Sequence, residues 1–187
     1  MISHQKSPPF IVVSGASGSG KTTICRKIAE NLGLYYSVSH TTRAKRPSEA
    51  HSVDYYFVSV PDFMGMIDSG DFFEWAKVYD NFYGTSKKII QEKLAQGQGV
   101  ILDLDTQGAT QIKALFPESV LIFVDTPSLE DLQKRLHVRA TDSAQEIAKR
   151  ISHAENEIAK KGHYDFVVLN DQLPKALASV QKIVETL

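Results

Sequence analysis

Residues 10–25, FIVVSGASGSGKTTIC, constrain the fold more than any other stretch. Phe10–Val13 is short, wholly apolar and mostly β-branched, as in a strand buried on both faces. Gly15, Ala16, Ser17, Gly18, Ser19, Gly20, Lys21 and Thr22 follow and match G-x-x-x-x-G-K-[ST] throughout. From Lys21 to about Leu32, Ile24, Ile28 and Leu32 share one helical face, and Gly33 is a natural stop. Strand, glycine loop and helix in this order open a βαβ unit. The glycines let successive N–H groups curl around an anion, and the helix turns its positive dipole end to the same place. Lys21 is placed for the β- and γ-phosphates of a nucleoside triphosphate, and the Thr22 hydroxyl for Mg²⁺.

The same rhythm recurs. Val100–Leu104, Val120–Val124 and Phe166–Leu169 read as buried strands. A helix over about Lys87–Gln96 ends at Gly97, Ser128 with Asp131 reads as a helix cap, and a last helix starts near Leu173. Apolar strands alternating with helices predict an α/β fold, a parallel sheet with helices on both faces. Two stretches break the pattern. Residues 35–86 are rich in aromatics, Ser, Thr and Asp and read as a small, mostly antiparallel insertion with a short helix near Asp62–Ser69. Residues 136–150 are polar, and Ser143 with Glu146 caps a helix running toward Lys161. That segment reads equally as a mobile lid or as a solvated helical hairpin. The expected division is a core of 1–34, 87–135 and 151–187, an insertion of 35–86 and a lid of 136–150.

A chain of 187 residues with 42% hydrophobic content suits one globular unit. Its net charge of −1 gives no general basic field for nucleic acid. No apolar run approaches the ~20 residues of a bilayer span. The opening MISHQKSPPF lacks the apolar run of a leader, and a single cysteine permits no internal disulfide, so a cytoplasmic setting is expected. The six histidines show no metal-ligand spacing. Cys25 reads as a packed residue, Trp75 and the other insertion aromatics as core, and Lys160–Lys161 as a solvated helix end.

Further polar groups accompany the glycine loop. Asp103 and Asp105 close the strand VILDLD, where doubly wound sheets bind ligands. They are surface acids or, given the loop, groups serving Mg²⁺ or a substrate. Arg43 and Arg46, with Tyr55 nine residues on, offer planar forks suited to a phosphate monoester. Alone they read equally as an exposed basic turn.

Taken together, SGASGSGKTT, SVSHTTR, DYYFV, FFEWA, FYGTS, ILDLDTQG, RLHVRATD, AKRI and VLND resemble the guanylate kinase family from about Phe10 to the C-terminus. The resemblance implies a P-loop sheet with helices on both faces, a mixed α+β GMP-binding insertion and a helical lid. It implies transfer of the γ-phosphoryl group of ATP to GMP, with Mg²⁺. On the ATP side it points to residues 15–22, Thr23 and Asn170. For GMP phosphate it points to Arg43, Arg46, Tyr55 and Tyr83. For guanine it points to Ser39, Glu74, Thr85 and Asp105, with Gly84 and Asp103 as further GMP-binding residues. Glu74 would accept from guanine N1–H and the 2-amino group, donors that adenine lacks there. Lys21, Arg135, Arg139 and Arg150 would neutralise the transferring phosphoryl group. Thr22 would hold Mg²⁺, with Asp103 acting through water.

The implied partners are ATP and GMP, with dGMP open as a second acceptor, and neither nucleic acid nor membrane; the oligomeric state is left undecided. A kinase for a sugar phosphate would not need the guanine-reading set of Ser39, Glu74 and Thr85. A silent protein-binding module of this family would not keep an intact Gly15–Thr22. The chain departs from the family in its glycine-poor loop 47–53, in Ala140 and Asp80 where glycine is common, and in a short 31–37 segment.

Overall fold

The computed structural model describes residues 7–138 and 144–187, with side chains outside 136–150. Its elements run β1 (Phe10–Ser14), α1 (Lys21–Leu32), β2 (Tyr35–Ser37), β3 (His40–Thr41), β4 (Tyr56–Phe57), α2 (Val60–Asp68), β5 (Phe72–Val78), β6 (Asn81–Ser86) and α3 (Lys87–Ala95). They continue with β7 (Val100–Asp103), α4 (Thr106–Leu115), β8 (Val120–Asp125), α5 (Leu129–Val138), α6 (Ala144–Ile158), β9 (Phe166–Leu169) and α7 (Leu173–Thr186).

β1 lies at the centre because all five of its residues can be buried. It pairs in parallel with β7 on one side and β8 on the other, and the sheet order is β2-β7-β1-β8-β9. Alternation along the strand divides the core. Ile11 and Val13 pack with Ile24 and Ile28 of α1 and Ala176 and Val180 of α7. Phe10 and Val12 pack on the opposite face with Ile90 of α3 and Ile112 of α4. Each fully buried aliphatic side chain contributes about 1.5–3 kcal/mol. A smaller cluster of Ala16, Leu132 and Ala154 ties α5 and α6 to the glycine loop. Asp131 N–H donates to Ser128 Oγ at 3.1 Å, so the cap expected there forms.

A second sheet, ordered β4-β3-β6-β5, carries α2. Its β3–β6 and β5–β6 pairs are antiparallel and its β3–β4 pair parallel. Phe63 of α2 is fully buried, with ring centroids 4.6 Å from Phe72 and 5.7 Å from Phe82. The helix starts at Val60, ahead of the expected Asp62, because the Ser59 hydroxyl accepts from Asp62 N–H. One strand departs from the expected insertion of 35–86: β2 joins the parallel sheet by pairing with β7. As a short, half-buried edge strand it lacks the apolar run that marks the inner strands. Trp75 is 40% exposed, contrary to its reading as core, because strand alternation points it away from buried Glu74 and Ala76. Arg139, Ala140 and the Ser143 cap, and the Arg150 side chain, lie outside the described residues. No helix among those described is long and apolar enough to cross a membrane.

Candidate active site

The neighbours of β1 leave from opposite sides of it, so the carboxyl ends of β1, β7 and β8 frame a crevice at a topological switch point. The glycine loop closes this end. Gly15 has φ +147°, and a Cβ there would collide with the Val124 carbonyl. Lys21 and Thr22 begin α1 at the crevice floor. Thr22 Oγ1 donates to Asp103 Oδ2 at 2.5 Å, and Lys21 Nζ lies 3.5 Å from Ala16 O. A hydroxyl and a carboxylate side by side form a hard oxygen pair.

Asn170 braces this loop from behind. Its Nδ2 donates to Ser19 O at 2.7 Å, its N–H to Asp125 O at 2.8 Å, and its carbonyl accepts from an Arg135 Nη at 2.7 Å. Asn170 is buried, so its amide is spent on the loop backbone. Asn170→Ala leaves the Ser19 carbonyl without that donor and is expected to cost about 2 kcal/mol. Denaturant melts of the two proteins measure this, and a loss below ~0.5 kcal/mol would contradict it.

One cavity of about 630 Å³ joins the loop to the second sheet. Ser17, Gly18, Gly20, Lys21, Thr22 and Thr23 line its floor, and Asp103 and Asp105 its wall. Ser39, Arg43, Arg46, Tyr55, Glu74 and Tyr83 line the far side. The structure therefore brings together most of the residues read from the sequence. Gly15, Ala16, Ser19, Gly84, Thr85, Arg135 and Asn170 are not part of this lining.

The far side divides into two chemistries. Arg43 grips Glu49 with two nitrogens, at 2.7 and 3.0 Å, and the Arg46 N–H donates to the same carboxylate at 2.8 Å. Burial alone would raise the Glu49 carboxyl; the two arginines outweigh it and hold it below its ordinary range. Arg43 also lies over the Tyr55 ring, 5.4 Å from its centroid, and the Tyr55 and Tyr83 rings are 5.9 Å apart. Burial, with Asp103 and Tyr83 nearby, pushes the Tyr55 phenol up, so it stays a neutral donor. Two guanidiniums and two phenols suit a phosphate dianion.

Glu74 is the other chemistry. The β5–β6 register shifts between Phe72 and Glu74, and this irregularity places Glu74 opposite Thr85. Only 4% of Glu74 is exposed. Burial pushes its carboxyl up to about 7, Thr85 offsets part of this, and the Asp105 charge adds to it. The buried Thr85 hydroxyl has no hydrogen bond of good geometry, though Thr85 stands close enough to Glu74 to favour its charged form. Asp105 caps α4, accepting from Gly108 N–H at 2.8 Å. A Cβ on Gly108 would lie 2.6 Å from Glu74 Oε2, so a side chain there would push the carboxylate aside.

Several contributors escaped the sequence. Glu49 shows only as an acid three and six residues after the arginines it binds. Glu157 and Lys160 line the cavity from α6 and its C-terminal turn. Burial raises the Glu157 carboxyl against the opposing pull of Lys21 and the Ser17 N–H. Lys160 Nζ donates to Thr106 Oγ1 at 3.4 Å and Lys161 pairs with Asp125 at 2.8 Å, so this pair is not a merely solvated helix end. Tyr79, at the β5–β6 turn with φ +55°, meets the His153 ring of α6 at 4.6 Å.

Residues 7–187 match the family described as Guanylate kinase. The chain belongs to the guanylate kinase family. A guanylate kinase of Carboxydothermus hydrogenoformans is 46% identical over 176 residues, 94% of this chain and 86% of that protein. One from Dechloromonas aromatica is 45% identical over 176 residues, 94% of this chain and 87% of its own length. The crystal structure of guanylate kinase from Anaplasma phagocytophilum superposes with a TM-score of 0.80 at 30% identity, covering 96% of this chain and 85% of that one. A shikimate kinase from Bacteroides thetaiotaomicron, at 13% identity and a TM-score of 0.52, shares the fold alone.

Proposed function

We infer that this chain is an ATP:GMP phosphotransferase that moves the γ-phosphoryl group of ATP to GMP, giving ADP and GDP. One observation carries the reading: a single cavity has a triphosphate loop at one end and, at the other, a paired-arginine pocket beside a buried carboxylate. We assign ATP to residues 15–23, with Asn170 as brace. GMP phosphate falls to Arg43, Arg46, Tyr55 and Tyr83. Guanine falls to Ser39, Glu74, Gly84, Thr85 and Asp105. Glu74 accepts from the two guanine donors, and the Thr85 hydroxyl donates to O6. Glu49 holds the arginines until the phosphate replaces it.

Mg²⁺ fits the donor set. No cluster of three acidic, His or Cys side chains suited to a metal occurs among the described residues, so substrate phosphates and water would complete the ion's oxygen ligands. The Thr22–Asp103 oxygen pair suits that arrangement. When bound, the ion draws charge from the β- and γ-phosphate oxygens. This chain's groups do the rest. The acceptor oxygen belongs to a phosphate whose second pKa is about 6, so no general base is needed. Lys21, with Arg135, Arg139 and Arg150, neutralises the transferring group, and the insertion aligns the acceptor. We place the enzyme in the cytoplasm, in purine nucleotide metabolism, with 136–150 as its lid and dGMP as a second acceptor.

An ADP-release assay with ATP–Mg²⁺ and each of GMP, AMP, CMP and UMP tests this. GMP is expected to be preferred over AMP by about 10⁴ in kcat/KM. ATP binding with no ADP release on any monophosphate would overturn the reading.

A further inference from the structure

Arg26 stands outside the cavity, on α1, five residues after Lys21. One of its Nη atoms donates to Val53 O at 2.8 Å and to Asp54 Oδ1 at 2.9 Å. Its guanidinium lies 5.3 Å from the Tyr36 ring centroid. The side chain thus spans from the helix that begins the ATP loop to the turn that precedes Tyr55. That turn is closely bonded within itself. Asp54 Oδ2 accepts from Ala50 N–H at 2.7 Å, Asp54 N–H donates to Ala50 O at 3.0 Å, and Ser52 N–H donates to Tyr55 O at 2.9 Å. Ser52 has φ +64°, a left-handed conformation that serine adopts at a cost. The turn therefore keeps its shape through the bonds around it, and displacement of Asp54 is passed directly to Tyr55.

We propose that Arg26 is a positioning residue for the acceptor phosphate. By holding Asp54 and the Val53 carbonyl, it sets Tyr55, and the phosphate pocket Tyr55 shares with Arg43 and Tyr83, at a fixed distance from Lys21 and Thr22. The proposal rests on the reading of this pocket as the GMP site. Arg26 touches neither substrate pocket, so its effect is confined to acceptor affinity and alignment. Glycine-poor loop 47–53 gains a use on this view: its conformation comes from an ionic tie to α1.

Steady-state kinetics and calorimetric GMP titrations of the wild type, Arg26→Ala, Arg26→Lys, Asp54→Asn and the Arg26→Ala/Asp54→Asn double variant test it. The tie is partly exposed, so Arg26→Ala is expected to raise the KM and Kd for GMP by about fivefold. The KM for ATP should stay within about twofold, and Arg26→Lys should recover most of the loss. In the Asp54→Asn background, Arg26→Ala should add less than about twofold, since the two residues act as one unit. GMP affinity unchanged in Arg26→Ala would overturn the proposal. So would equal losses for ATP and GMP, or the same Arg26→Ala effect with and without Asp54. Wild-type protein that neither binds nor turns over GMP would overturn the GMP reading as well.

Discussion

Glu74→Ala is expected to lower kcat/KM for GMP by about 10³-fold while leaving the KM for ATP within about twofold, because two charge-assisted hydrogen bonds to the base are lost. AMP turnover should not rise to meet it, since the variant gains no contact to adenine. The GMP-to-AMP preference therefore collapses from one side. The raised carboxyl adds a pH signature. Only the ionised form accepts from both guanine donors, so kcat/KM for GMP should climb as pH rises through about 7. Stability of the free protein runs the other way. The ordinary value is 4.5 and the folded value about 7, so the folded state holds a proton that the unfolded chain has released. That contribution is complete below pH 4.5 and lost as pH rises through 7, amounting to about 3 kcal/mol at most. Glu74→Gln should then melt higher than the wild type at pH 8 and lose GMP activity. Equal melting of the two proteins across pH 5–8, or a GMP profile flat through neutrality, would show that the carboxyl is not raised.

Lys21→Met is expected to cost about 10³-fold in kcat, the scale for losing one preorganised charge at a reacting phosphoryl group. Methionine keeps most of the stem, so the fold should be preserved. GMP binding should also survive, because Glu74 sits on the second sheet and the arginine pocket on the connection between its strands β3 and β4. Steady-state kinetics paired with a calorimetric GMP titration separate the two effects. A kcat within tenfold of the wild type would remove Lys21 from the chemistry, and loss of GMP affinity would mean that the two ends of the cavity are not independent.

The parallel sheet was legible because its inner strands carry apolar runs and its helices a clear period. The glycine loop was legible because its pattern is local: eight consecutive residues, Gly15–Thr22, carry it between a strand and a helix. Elements that depend on distant partners were not. β2 is an aromatic edge strand whose place is set by β7, 65 residues away at its first pair, Tyr35 with Val100. Glu74 was named through resemblance, but its burial depends on the irregular β5–β6 register and on Gly108 approaching from α4. The Arg26–Asp54 tie joins residues 28 apart, from α1 to the turn before β4, and neither residue type announces a partner. Lys160 read as part of a solvated helix end, and Glu157 drew no reading, because a polar stripe reads the same whether it meets water or a charged cavity.

The brace from Asn170 to the Ser19 carbonyl bridges 151 positions along the chain. During synthesis the first strand emerges early, yet its neighbours at 100–103 and 120–125 follow roughly 90 and 110 residues later, at about 5–20 residues per second. For several seconds this apolar segment waits without a sheet. The nucleotide loop waits longer still, since its rear support is the last strand made. A nascent chain thus carries the complete loop sequence well before it carries a finished donor site, and nucleotide has nothing rigid to bind until synthesis is nearly done.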